Sequence, residues 1–135
     1  MATATQTSTK ASTKSHAEIA DFFGKMYSFN NSLKLFHWHV TSKGSYAQHM
    51  ALDQALEALG DVLDRIVETT YAMKGDLNIM IPSTKVPKDI VKHASDFFQY
   101  VDFQRELLPD AFSQAILDDC QEAIQQLLYK LKRLQ

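Results

Sequence analysis

The sequence predicts an all-α four-helix bundle whose second and third helices are joined by a long connection. Three observations predict it. Apolar residues recur every three or four positions in four separate stretches, as one buried face of a helix requires. No stretch alternates apolar and polar residues in the way a half-buried strand would. The prolines Pro82, Pro87 and Pro109 all fall at or between the borders of the periodic stretches. With 135 residues the chain can bury one real core and is too short for two.

Residues 1–15 are rich in Thr, Ser and Ala and carry Lys10 and Lys14 but no acid. They offer too little apolar surface to order themselves, so a flexible tail is expected there, with the bundle over residues 16–135. The first helix runs from about His16 to Val40, with Ile19, Phe22, Met26, Phe29, Leu33 and Phe36 facing inward. Thr41 to Gly44 breaks it. Ser45 followed by Gln48 has the spacing of a capping box and marks the next start. That helix reaches about Lys74 on a stripe of Leu52, Leu56, Leu59, Leu63, Ile66 and Val67, and Gly75 suits its C-terminal cap.

Residues 76–87 hold two prolines around an apolar centre, and a connection this long must cross the end of the bundle or pack on something. Pro87 suits the first turn of a third helix that uses Ile90, Val91, Ala94, Phe98 and Val101. Pro109 separates it from a fourth, with Phe112, Ile116, Cys120, Ile124, Leu127 and Leu131 inward.

Composition narrows the function classes. At 45% hydrophobic and 22% charged residues the chain is an ordinary globular one, and a net charge of −2 gives no push toward nucleic acid or membrane. Cys120 is the single cysteine, so no internal disulfide forms, which suits a reducing compartment. No signal-peptide-like region or membrane-length apolar run is visible, so a cytoplasmic setting is expected.

The chemistry concentrates on the second helix, which carries His49, Asp53, Asp64 and Glu68. Imidazole and carboxylate are the usual ligands of iron-group metals at oxygen-reactive sites. At 100° per residue the four fall within an arc of about 100°, on the flank of the leucine stripe. They cannot share a metal within one chain, because Asp53 and Asp64 are ~16 Å apart along the axis. Their spacing suggests a resolution. The pairs 53/64 and 49/68 share one midpoint, beside Ala58 and Leu59. A two-fold axis there brings Asp53 level with Asp64 of a second chain, and His49 level with its Glu68. Ala51, Ala55, Ala58 and Gly60 are small enough to let two such helices approach.

His37 ends the first helix, where an antiparallel hairpin would bring it to His49. Taken alone it would ordinarily be a packed histidine, and a few acids on one helix are ordinarily a solvated face. The symmetric spacing favours the set. His39 is either a supporting group or solvent-exposed, and His16 and His93 read as surface residues. No Glu-x-x-His occurs anywhere, which disfavours a dimetal oxygenase site inside a single bundle.

The segment LFHWHVTSKGSYAQHMALDQALEALGDVLDRIVE resembles the signature of Dps-type miniferritins, which belong to the ferritin-like superfamily. The shared pattern is His37-Trp38, then His49 and Asp53, then Asp64 and Glu68, without a gap. The resemblance implies a ferritin-like bundle with a crossover between helices 2 and 3. It implies a ferroxidase centre with His37, His49 and Asp53 from one subunit and Asp64 and Glu68 from its mate. Iron would be the substrate, with zinc or another divalent metal able to substitute. Hydrogen peroxide or O2 would be the oxidant, and a dodecameric homo-oligomeric shell would hold the ferric mineral. Trp38 would either quench radicals beside the metals or pack in the core, and segment 76–87 would match a short extra helix at the two-fold axis. Asp110, Asp118, Asp119 and Glu122 are candidates for an acid-lined pore, or simply a solvated helix start. Three features depart from the family: the chain is shorter than most members, its third helix is short, and Trp-His follows the first ligand where Trp-Asn is common.

DNA protection is the resemblance's second implication, with a nucleoid-associated location if DNA is bound. Two tail lysines and the C-terminal Lys130, Lys132 and Arg133 are a thin match to a phosphate backbone, although many tails on one shell would add up. The alternative function is a non-catalytic cage or DNA-compaction protein built on the same bundle.

Overall fold

Helix dominates the chain from Ala2 onward; the computed structural model describes the backbone of residues 2–134 and the side chains of residues 15–134. The elements are α1 (Ala2–His39), α2 (Ser45–Lys74), α3 (Ile90–Gln104) and α4 (Ala111–Arg133), with a 3-10 turn at Arg105–Leu107 after α3. Among the described residues there is no strand. The backbone of α1 begins upstream of His16, within the segment expected to be a tail, while the side chains of residues 1–14 lie outside the described ones.

The four helices pack against one another around a single core. α2 packs most extensively on α4 and then on α1, and α3 packs on α4 and more lightly on α1. The inward positions of the periodic pattern are buried: Phe22 and Leu33 in α1, Leu52 and Ile66 in α2, Val101 in α3, and Ile124 and Leu127 in α4 are all at most 1% exposed. Each such side chain contributes about 1.5–3 kcal/mol on burial. Arg105 ties the end of α3 to α4: its guanidinium donates to Gln121 Oε1 at 2.6 and 2.9 Å, to Gln114 Oε1 at 2.8 Å and to Asp118 Oδ1 at 2.5 Å.

Local chemistry moved several expected boundaries. α2 starts at Ser45, but its cap is Gly44 in the left-handed region (φ 83°), and no side chain caps it, so the capping box does not form. α3 starts three residues after Pro87, because Asp89 is extended and its carboxylate accepts from the Lys92 N–H. In α4 the buried position of the first turn is Ser113, while Phe112 points outward and is 70% exposed. Gly75 closes α2 as expected, at φ 86° with its N–H on the Tyr71 carbonyl.

The connection between α2 and α3 contains no helix, contrary to the short extra helix expected there from the resemblance. It is instead strapped to the bundle. Tyr71 Oη donates to the Leu77 carbonyl at 3.1 Å, Leu77 is buried, and Thr84 Oγ1 lies 2.7 Å from Ser28 Oγ of α1. Gly24 receives the strap most closely, since a Cβ there would overlap the Met80 carbonyl oxygen.

His93 is not the surface residue expected. Its Nε2 lies 2.7 Å from Oγ of the buried Ser32, and its ring stands 5.2 Å from that of Phe29. The signal was available in the spacing, since position 93 lies one helical turn from both Ile90 and Phe97. Burial holds the imidazole below its ordinary value of 6.5, against a smaller upward pull from Asp96. A histidine whose pKa is depressed by folding stabilises the native state above the unfolded value, and that stability is lost as pH falls through the folded value. Denaturant midpoints are therefore expected to drop on acidification below about pH 6.5, and the drop should shrink in His93→Gln, whose side chain does not titrate.

Candidate metal centre

The turn after α1 sets up the site. Ser42 (φ 85°) and Gly44 (φ 83°) both adopt left-handed backbone, which reverses the chain within a few residues and lays α2 against α1. The reversal places His37, in the last turn of α1, over His49, in the first turns of α2. Their rings stack with centroids 3.7 Å apart and planes at 28°. Asp53 follows His49 by one helical turn and therefore points the same way. Its Oδ1 lies 2.8 Å from His37 Nε2 and its Oδ2 lies 3.8 Å from His49 Nε2.

Three ligand atoms from His37, His49 and Asp53 thus lie within 4.8 Å of one another. Two details of this cluster bear on whether it could hold a metal. His37 is 5% exposed, yet neither ring nitrogen makes an aligned hydrogen bond, even with the Asp53 carboxylate close by. Buried imidazole nitrogens rarely go unpaired, because each costs about 1–3 kcal/mol. His49 Nδ1 lies 3.3 Å from the His37 carbonyl oxygen. A carbonyl only accepts, so Nδ1 is the donor in this contact, and Nε2 is the ring nitrogen turned toward Asp53 Oδ2. The carboxylate faces outward, with 44% of the Asp53 side chain and 41% of the His49 side chain exposed.

Asp64 and Glu68 do not join these three. They are exposed farther along α2, beside an apolar pocket lined by Phe23, Tyr27, Leu63, Val67, Ile79 and Ile81. The chain alone therefore assembles three of the five expected ligands and leaves the other two at a separate point of the same helix. Ala51 and Ala55 are buried along the groove between α2 and α4, so they are not available to a second α2, whereas Ala58 on the rim of that groove is exposed. Leu59 points into the core at 2% exposure. At that level the side of α2 next to α1 offers Leu56 and Gly60, which line a groove with Tyr27, Asn30, Asn31, Lys34 and Asp64.

The remaining candidates divide clearly. Trp38 is 65% exposed, which excludes packing in this chain's core, and its ring carries the Lys34 ammonium at 5.5 Å. His39 is exposed and bonds through Nδ1 to the Leu35 carbonyl of its own helix. Of the suspected pore acids, Asp110 caps α4 through the Ser113 N–H, Asp118 binds Arg105, and Asp119 binds Arg65 at 3.1 Å. Each of these three has a local role within the chain. Cys120 is buried, which raises its thiol to about 12, and takes no part.

Fold and site together define a four-helix protein with a preorganised His/His/Asp cluster at one end of a helical hairpin. The chain belongs to DUF5856, a family of unknown function whose model matches residues 37–131. That match begins at His37 and takes in all five expected ligands. No curated protein and no solved structure matches the chain. No helix among the described residues is long and apolar enough to cross a membrane.

Proposed function

We propose that the protein is an iron-oxidising, iron-storing miniferritin whose catalytic centre is completed between two copies of the chain. The observation that carries this reading is the buried His37 imidazole held against the His49 ring and 2.8 Å from the Asp53 carboxylate, with three potential ligand atoms within 4.8 Å of one another. In the proposed dimer, Asp64 and Glu68 of the second copy cover the exposed side of that cluster. The apolar side chains beside them support such a contact, because Tyr27 is 45% and Ile81 is 50% exposed in the single chain.

The packing pattern agrees with a ferritin-like crossover. α2 and α3 each pack mainly on α4 rather than on each other, so the strapped connection links helices that are not principal neighbours. Twelve copies closing into a shell would give the mineral a container.

The residues have distinct tasks in this reading. His37 and His49 supply neutral nitrogen donors, and Asp53 supplies a charge that both metal positions can share. Mixed imidazole and carboxylate ligation holds Fe(II) without binding Fe(III) so tightly that it cannot leave. Two ferrous ions each give one electron to hydrogen peroxide, the O–O bond breaks, and two protons complete two waters. Delivering both electrons in one encounter avoids releasing hydroxyl radical.

The test is Fe(II) oxidation by peroxide or O2, followed by absorbance, in the parent and in His37→Ala. A fall of about tenfold or more is expected, because the cluster loses its buried nitrogen donor. Equal rates in the two proteins would remove the ferroxidase reading. Light scattering of the parent tests the shell, for which particles far larger than a dimer are expected.

A further inference from the structure

A second pocket lies on the other side of α1 from the groove that holds Asp64, and no part of the proposed iron chemistry uses it. It has a volume of about 570 Å³ and is formed by α1, α3 and the strapped connection. That size is within the range of small-molecule sites. Its apolar wall is aromatic: Phe29 and Phe97 stack at 4.0 Å between centroids, and Tyr100 stands 5.7 Å from Phe97. Its polar groups are of one kind. Lys25, Lys85 and His93 line it together with the hydroxyls of Ser28, Ser32, Ser83 and Thr84, and no carboxylate does.

We propose that this pocket binds a small organic anion, a flat apolar body carrying a carboxylate or phosphate group. The rings accept the flat body, and Lys25, Lys85 and the Ser83 hydroxyl receive the charged end, because the hydrogens of Ser28, Ser32 and Thr84 are already donated within the chain. Lys25 can be recruited at little cost, because its present partner, Asp21, is an exposed neighbour one turn away at 3.0 Å.

His93 adds a proton-linked component. The Ser32 hydroxyl has one hydrogen, and its 2.6 Å contact with the Phe29 carbonyl uses it, since a carbonyl cannot donate. His93 Nε2 must therefore donate to Ser32 Oγ, and a proton arriving at the ring goes to Nδ1. The charged and titratable groups around the ring are Lys25 of α1, Lys85 of the connection, and Asp96 and Tyr100 of α3. A bound anion adds a negative charge that favours the protonated ring. Affinity for an anion of constant charge then rises as the solution becomes more acidic.

Benzoate, phenyl phosphate and the neutral benzamide are the probes, titrated into the full chain and followed by calorimetry or amide NMR shifts. Benzoate and phenyl phosphate should bind at millimolar concentration or better, with the perturbed amides in 25–32, 83–87 and 93–100, and benzamide should not. The relative affinity of the two anions identifies which head group the site prefers. The double variant Lys25→Ala/Lys85→Ala should weaken benzoate about tenfold, whereas Lys88→Ala, outside the lining, should not. Benzoate affinity should rise as pH falls below about 6.5, and His93→Gln should flatten that rise. Benzamide binding as well as benzoate, no saturable binding of either anion, or unchanged affinity in the double variant would each overturn the assignment. Because these readouts need no iron, their failure leaves the ferroxidase reading untouched.

Discussion

Two inactive variants, Asp53→Ala and Asp64→Ala, are expected to restore iron oxidation when their chains are co-expressed and assemble together. The expectation follows from how the ligands divide. His37, His49 and Asp53 form one cluster within a chain, while Asp64 and Glu68 stand three turns farther along the same helix. If a second copy supplies the missing pair, a mixed dimer has one site with both defects and one with none. Random pairing makes about half of all dimers mixed, so about a quarter of the parental sites return. Each variant alone should be close to inactive, because each dimer then carries the same defect twice.

The contrast with a site inside one chain is sharp. Were His37, His49 and Asp53 sufficient, Asp64→Ala would keep most of its activity and mixing would merely average the two preparations. Were the site unrelated to these residues, both variants would be active before mixing. Both substituted side chains are substantially exposed, so loss of folding is not expected to obscure the result.

The same division explains what was legible in the sequence. His49 and Asp53 are one turn apart on a long periodic helix, so their shared direction follows from helical geometry alone. His37 required only that a short break after Val40 fold back, and Ser42 and Gly44 do this with left-handed backbone. The proposed pairing of Asp53 with Asp64 rests on the symmetry of their spacing alone, since it concerns a relation between chains. The small residues near the midpoint misled for a related reason. Ala51 and Ala55 are buried on the side of α2 that faces α4, and composition cannot say which neighbour a small residue serves.

Other differences trace to local competition. At α3 the fixed φ of Pro87 suited a first turn, but Asp89 can satisfy a free N–H and Pro87 cannot, so the helix begins after the acid. At Ser45 the hydroxyl was positioned to cap, but left-handed Gly44 already supplies the change of direction. From sequence His93 reads as a surface residue. Its partner, Ser32, comes from another helix, and a hydroxyl on α1 gives no periodic signal of its own.

The largest expected effect on folding comes from the smallest change, Gly24→Ala. Alanine in the middle of a helix is ordinarily better than glycine by about 1 kcal/mol, so propensity alone predicts stabilisation. Here the added carbon would overlap the Met80 carbonyl oxygen, with the Met80 carbonyl carbon at 3.2 Å and Pro82 Cδ at 3.8 Å. The nearest obstacle is backbone, which cannot rotate aside as a side chain does. Either α1 and the connection separate or the strap leaves its seat, and both loosen the contacts of Leu77 and Ile79. Overpacking of this kind costs about 1–3 kcal/mol, and lost strap contacts add to it, so a net destabilisation of about 2 kcal/mol is expected. Gly60→Ala is the matched control for the fold of the single chain, because nothing of the same chain lies within 4 Å of a Cβ there. Chemical denaturation of the two variants should therefore move the midpoint in opposite directions. A stabilised Gly24→Ala protein would mean that the connection is not seated on α1. The strap also carries Ile79 and Ile81, which wall the pocket beside Asp64 and Glu68. Gly24→Ala should accordingly slow iron oxidation without touching any ligand, whereas loss of stability with full activity would separate the strap from the proposed site.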